Sequence, residues 1–243
     1  MNIEKIFKKT LKNVKIYKGD SVMLHADAGI LAQYSLDKTS LDKFFNFLIK
    51  YIEPGTLLVP SFTTSFCKKK IFDFKKSESE TGLLSEIFRK RKDTKRTNHP
   101  IFSFSIIGKQ WNYFNNSNLE TCFGKDSIFD LFNKVNGKIL ILGANFEDVT
   151  TFTHHIEEYI GINYRYLKKF SGTIIKNNKK KKIITNYYVR NLKMKKKLKL
   201  PITLKKILNK TVVGRYNAYS IGSNELFKHC VKNIKKNKYY LVK

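Results

Sequence analysis

The chain's 243 residues are enough to bury a sizeable core, and a 42% hydrophobic, 14% aromatic composition excludes a disordered protein. Its formal charge of +29 comes from 42 Lys and 6 Arg against 19 acidic residues, a Lys bias that an AT-rich coding sequence also produces. The charge alone therefore assigns no nucleic-acid partner, and the odd set Cys67, Cys122 and Cys230 argues against a disulfide scaffold or a zinc site.

Residues 2–17 place Ile3, Ile6, Phe7, Leu11 and Val14 at helical spacing without an unbroken apolar run. That start is neither signal peptide nor membrane span, and a cytoplasmic protein is expected. Gly19-Asp20 then opens "SVMLHADAG", a buried strand, and Ser40 to Ile52 reads as a helix with Leu41, Phe44, Phe45, Leu48 and Ile49 on its apolar side. "TLLVPSFT" is a second strand, ending at Pro60. A helix over 82–91, the strand "IFSFSIIG", a helix around 126–134 and the strand "KILILGA" continue the alternation, which predicts a layered α/β domain with ligands beyond the strand ends.

Past residue 158 the composition changes: residues 159–243 hold 24 basic residues and one acidic residue, Glu225. The stretch 172–212 reads as a Lys-rich insertion or surface loop. His229 falls in a C-terminal amphipathic helix and reads as structural.

The chemistry concentrates in "TTFTHHIEEYIG", residues 150–161. On a helix, residues three apart share a face, so His154 faces Glu157 and His155 faces Glu158, the two pairs about 100° apart around the axis. Only one pair can address a single target. A zincin needs two His at i and i+4, and no third ligand is evident, so no metal is expected. A carboxylate behind an imidazole instead suits proton abstraction.

Further polar groups gather at strand ends: His25 with Asp27, Ser61 with Thr63, and His99. Each has a structural alternative. His99 precedes Pro100 and can simply hold a turn, His25 can be a satisfied buried histidine, and Glu158 can serve the helix start. Arg89, Arg91 and Arg96 can meet phosphates or lie on a solvated surface.

Taken in order, "GDSVMLHADAG", "GTLLVPSFT", "FDFKKSESETGLLSEIFRK", "RTNHPIFSFSIIG", "FGKDSIFDLF" and "GKILILGANFEDVTTFTHHIEE" resemble the motifs of the aminoglycoside 3-N-acetyltransferase (antibiotic N-acetyltransferase) family. The resemblance covers most of the chain and is weakest at 172–212. It implies one layered α/β/α domain over residues 1–243 with a central mixed sheet, acetyl-CoA as donor and no metal. It makes His154 the base, Glu157 its orienting carboxylate and Thr151 the motif threonine. Ser61, Thr63, Arg89 and Arg96 are then expected on the CoA side, and His25, Asp27, Asp73 and His99 on the acceptor side. The family's His-Ser-Ser turn reads His25-Ala26-Asp27 here.

The acceptor is a separate question. A strongly basic chain repels a polycation and attracts an anion, which favours an amino sugar on a nucleotide diphosphate, for surface glycan synthesis, over an aminoglycoside and a resistance activity. Asp27, Asp73, Glu78, Glu80, Glu147 and Asp148 are available to hold a cationic acceptor. A homodimer is compatible with the sequence, and no specific nucleic acid is expected. The remaining alternative is a basic RNA- or polyanion-binding protein using "TNYYVRNLKMKKK".

Overall fold

The computed structural model describes residues 3–34, 37–195 and 197–243, without the Lys38 side chain. Residue 2 of the first expected helix and Lys196 of the basic stretch lie outside the described residues. Among the described residues, ten strands form two sheets. In chain order they are β1 (Ser21–Ala26), β2 (Thr56–Pro60), β3 (Ile71–Asp73), β4 (Lys95–Arg96), β5 (Phe104–Gly108), β6 (Lys138–Leu142), β7 (Arg165–Lys176), β8 (Lys179–Arg190), β9 (Asn209–Val213) and β10 (Tyr216–Gly222). The larger sheet runs β4-β5-β2-β1-β6-β10-β9 and the smaller β3-β7-β8. β1 is parallel to both β2 and β6, whereas β5 and β10 run antiparallel to them, so the sheet is mixed as expected.

The period-two alternation of strand side chains explains the layering. Val22, Leu24, Leu57, Val59, Leu140 and Leu142 face one core, closed by helices Ile3–Asn13, Lys38–Ile52 and Leu83–Arg89 through Phe7, Leu11, Phe44, Phe45 and Phe88. Met23, Leu58, Ile139 and Ile141 face the other. That side is closed by helices Ile128–Lys134, Phe152–Ile160 and Ser223–Lys236 through Phe129, Phe132, Phe152, Ile156 and Leu226. Both faces are apolar, as a sheet covered by helices on each side requires.

The largest departure from expectation is the basic stretch. Residues 165–190 form a hairpin whose arms pair from Arg165↔Arg190 to Lys176↔Lys179, where a surface loop was expected over part of this span. Ile174, Ile183, Thr185 and Tyr188 are buried while the Lys residues between them face water, so the Lys run hides an alternating strand. Asn177 and Asn178, at φ of 49° and 62°, make the two-residue connection in the left-handed region that hairpin turns favour. The strand expected from Ile101 begins only at Phe104, because residues 99–103 are held in a turn described below.

Candidate active site

β6 ends at Leu142, and Gly143, at φ +81°, redirects the chain into the short helical turn Phe146–Val149 and then the helix Phe152–Ile160. That helix presents His154 and Glu157 on one face, with His154 Nδ1 2.8 Å from Glu157 Oε2. Gly161 closes the helix at φ +72°, in the left-handed region that suits glycine. The reversal brings Tyr164 and Arg165 back over Glu157: the Tyr164 hydroxyl donates to Oε1 at 3.0 Å, and Arg165 Nε lies 2.6 Å from Oε2. This last contact is a close ion pair whose N–H points away from the hydrogen-bond line. Glu157 is fully buried, so its charge is tenable only because these three partners surround it.

Protonation follows from the same contacts. Burial alone would raise the Glu157 carboxyl, but hydrogen bonds and charge from His154, Arg165 and Tyr164 hold it below its ordinary range. Burial pushes His154 down, and Arg165 pushes it further, against the pull of Glu157. The ring is therefore a neutral imidazole near neutral pH, able to accept a proton. Its side chain stays 21% exposed and borders a cavity of about 420 Å³. Glu147, Asp148, Thr151, Arg165, Tyr187 and Arg190 line that cavity too, and Leu192, Leu198 and Val242 wall it.

The neighbouring histidine is built differently. His155 Nδ1 pairs with the Phe123 carbonyl at 2.6 Å, its Nε2 lies 3.9 Å from Asp130 Oδ1, and its ring packs between Phe152 and Phe227. Glu158 accepts from the Thr121 hydroxyl instead of meeting His155. Of the two helical pairs expected, only His154–Glu157 forms and opens to a cavity.

Most other expected site residues are committed elsewhere. The Ser61 hydroxyl is buried against Ser105 Oγ at 2.6 Å. Arg96 is enclosed by Ser61 O, Thr63 Oγ1, Ser77 O and Ser103 Oγ at 2.5–3.0 Å, and burial with Arg89 repulsion pushes it down to about 9. Arg89 forks onto Glu86 at 2.6 and 2.7 Å. These four, expected on the CoA side, lie away from the cavity beside His154, and Arg89 and Arg96 line a separate basic cavity with Lys75, Lys90, Arg91 and Lys176.

The acceptor-side group is likewise dispersed. His99 Nδ1 accepts the Ile101 and Phe102 amides, its Nε2 meets Thr185 Oγ1, and burial pushes it down to about 4. It clasps the turn before β5. Asp73 accepts the Lys75 and Lys76 amides, and exposed Asp27 accepts the Gly29 amide. His25 is buried in β1, pushed down to about 4, and its Nε2 has no hydrogen-bond partner among the described residues. None of the four lines the cavity. The sequence reading missed Tyr164, Arg165 and Arg190; a usable signal was the scarcity of arginine, since only 6 of 48 basic residues are Arg and two of them sit here.

With this geometry in view, comparison with known proteins is decisive for the family. The family model described as aminoglycoside 3-N-acetyltransferase matches residues 23–235. The chain belongs to that family. Membership places it among the CoA-dependent acetyltransferases. A local match, 37% identical over 79 residues, joins it to the SPbeta prophage-derived aminoglycoside N(3')-acetyltransferase-like protein YokD of Bacillus subtilis (strain 168). That match spans 32% of this chain and 28% of YokD. The folds agree far more widely. The YokD crystal structure superposes with a TM-score of 0.78 at 20% identity, over 96% of this chain and 99% of that one. AAC-IIIb in a binary complex with CoASH gives 0.78 at 16% identity, over 96% of each chain. Sisomicin-bound AAC-VIa gives 0.77 at 18%, over 96% and 97%. None of these matches supports a nucleotide-linked acceptor, and the ranking drawn from net charge gives way to the aminoglycoside alternative.

Among the described residues no helix is long and apolar enough to cross a membrane, and no group of three or more His, Cys, Asp or Glu is placed to hold a metal ion.

Proposed function

We propose that this protein transfers the acetyl group of acetyl-CoA to an amino group of a cationic amino sugar of the aminoglycoside class. The observation that carries this reading is the His154–Glu157 pair, with His154 Nε2 held only by one long contact beside a cavity that also presents Glu147 and Asp148. Two carboxylates beside the base suit an acceptor with several ammonium groups, whatever the net charge of the whole chain.

In this mechanism the acceptor nitrogen binds as the free amine. It attacks the thioester carbonyl as His154 Nε2 takes its proton, and Glu157 stabilises the imidazolium so formed. The C–S bond then breaks, and the leaving sulfur takes the proton back from His154, giving the amide and CoASH. Thr151, which lines the same cavity as His154, contacts the acceptor in this reading.

The test compares acceptors by kcat/KM: a kanamycin-type aminoglycoside against a nucleotide-linked amino sugar, at low and high salt. The expected result is preference for the aminoglycoside at both. Preference for the nucleotide-linked sugar by an order of magnitude at both salts would overturn the reading of the acceptor.

A further inference from the structure

Arg165 touches the reacting histidine from the cavity side. Its Nη2 lies 3.3 Å from His154 Nε2, its Nη1 donates to the Tyr188 carbonyl at 3.2 Å, and its Nε forms the ion pair with Glu157. A guanidinium is a donor at every nitrogen and has no lone pair to offer. The nitrogen facing it must therefore be the unprotonated one. That places the proton of neutral His154 on Nδ1, against Glu157 Oε2, and leaves the lone pair on Nε2, where a base needs it.

We propose that Arg165 is a positioning residue for His154: together with Glu157 it fixes the Nδ1–H tautomer, and it covers Nε2 in the resting enzyme and yields that nitrogen to the incoming amine. The proposal rests on the acetyl-transfer reading above. At 3.3 Å the Nη2 contact is long for a hydrogen bond and easily displaced, whereas the Tyr188 and Glu157 contacts hold the rest of the fork in place. An acceptor nitrogen arriving at Nε2 then lies beside a fixed positive charge. That disfavours its ammonium form and favours the free amine the reaction requires.

The charged groups around His154 are few. Glu157 is on its own helix, Arg165 and Arg190 stand at paired ends of β7 and β8, and Glu147 and Asp148 come from the preceding helical turn. Tyr164 and Tyr187 complete the titratable surroundings. Of the cations, Arg165 alone makes a hydrogen-bond contact to the ring among the described residues.

The test reads the ring directly. Nitrogen-15 spectra of the imidazoles, with His154 assigned from a His154→Gln variant, are compared for wild type, Arg165→Gln and Arg165→Lys. The wild type should show the Nδ1–H tautomer. Arg165→Gln should mix the tautomers and move the His154 titration to higher pH. Arg165→Lys should hold the titration near wild type through its charge, but lose tautomer purity because a single nitrogen on a flexible stem cannot reproduce the rigid fork that spans the three contacts. In turnover, the acid limb of kcat/KM for Arg165→Gln should move to higher pH and kcat should fall about tenfold, well short of the ~10⁴ that a wrong tautomer costs a Ser-His-Asp triad. The KM for acetyl-CoA should not change.

A folded Arg165→Gln with the wild-type tautomer and titration would overturn the proposal. If that variant fails to fold, a wild-type tautomer together with wild-type kcat in Arg165→Lys would do so. A wild-type protein with no acetyl transfer to any amine would sink the functional reading alone, since the ring spectra still decide the role of Arg165.

Discussion

Two polar clusters in this molecule each combine an arginine and a histidine, to opposite ends. One joins Ser61, Thr63, Arg96 and Ser103 under the edge of β2 and β5, with His99 clasping the turn beside it; the other joins His154, Glu157, Tyr164 and Arg165 where the helix Phe152–Ile160 meets β7. In the first, every nitrogen of the guanidinium and imidazole is occupied by a fixed backbone or hydroxyl partner. In the second, the strong partners are concentrated on Glu157, and His154 Nε2 keeps only one long contact beside a cavity. Residue type does not separate a strut from a reactive site. What separates them is whether a polar atom remains that only a ligand can satisfy well.

The sharpest way to test that contrast is His154→Ala. It should lower kcat by about 10²–10⁴, the usual loss for a general base, and also lower the thermal midpoint, since buried Glu157 loses one of its three partners. Steady-state rates and a melting curve on the same sample check both halves. Undiminished turnover would remove His154 from the chemistry.

The second test concerns stability, and acid is the probe. His25 and His99 are held neutral by burial, each pushed from 6.5 to about 4. The unfolded chain takes up these protons first, so the contribution is complete above pH 6.5 and drains away as pH falls towards 4. Each histidine can contribute up to about 3 kcal/mol over that window. Urea unfolding at pH 7, 6, 5 and 4.5 should show the decline, and His99→Asn, which keeps an acceptor for the two amides, should flatten it. A stability constant over pH 7 to 4.5 would mean that neither histidine is buried as described.

The contrast also marks what could be read without a structure. His154–Glu157 was legible because it is local: residues three apart on a helix meet whatever the rest of the fold does. The layered α/β architecture was legible, since buried runs such as "KILILG" alternate with helices, but the strand order was not. The roles of Ser61, Arg96 and His99 were not, because they depend on the Ser77 carbonyl, on Ser105 and on Thr185, brought together by pairing across long loops. The hairpin at 165–190 was obscured for another reason. Its alternating Ile and Tyr are diluted by Lys, and the Asn177-Asn178 turn was the signal that would have exposed it.

A smaller effect separates Tyr164 from the residues it supports. Its hydroxyl is the partner of Glu157 Oε1, so Tyr164→Phe removes one hydrogen bond to a buried carboxylate and should destabilise the fold by about 2 kcal/mol. The carboxyl should also rise from its depressed position, because one of the contacts that lowers it is gone. Denaturant unfolding at pH 7 reads the first effect, and the acid limb of turnover reads the second. Wild-type stability in the Phe variant would show that the bond is replaced by water.

The smallest expected effect bears on the acceptor. Glu147 and Asp148 line the cavity from the turn before the helix that carries His154, and among the described residues they are the carboxylates on its lining, Glu157 being buried behind the ring. The other acidic residues considered for a cationic acceptor are elsewhere: Asp73 and Asp27 cap their own turns, and Glu80 accepts from Ser65. If the acceptor is a polycation, Glu147→Gln and Asp148→Asn should each raise its KM about two- to fivefold, the 0.5–1 kcal/mol of a partly solvated charge pair, with kcat preserved. Because such pairs are screened, the penalty should shrink as salt rises and the Debye length falls from about 10 Å at 0.1 M to about 3 Å at 1 M. An anionic acceptor reverses the sign: removing a carboxylate would then lower KM, most visibly at low salt. The pair of variants thus reports the charge of the natural acceptor through the sign of one kinetic constant, independently of how far the rest of the surface is populated by lysine.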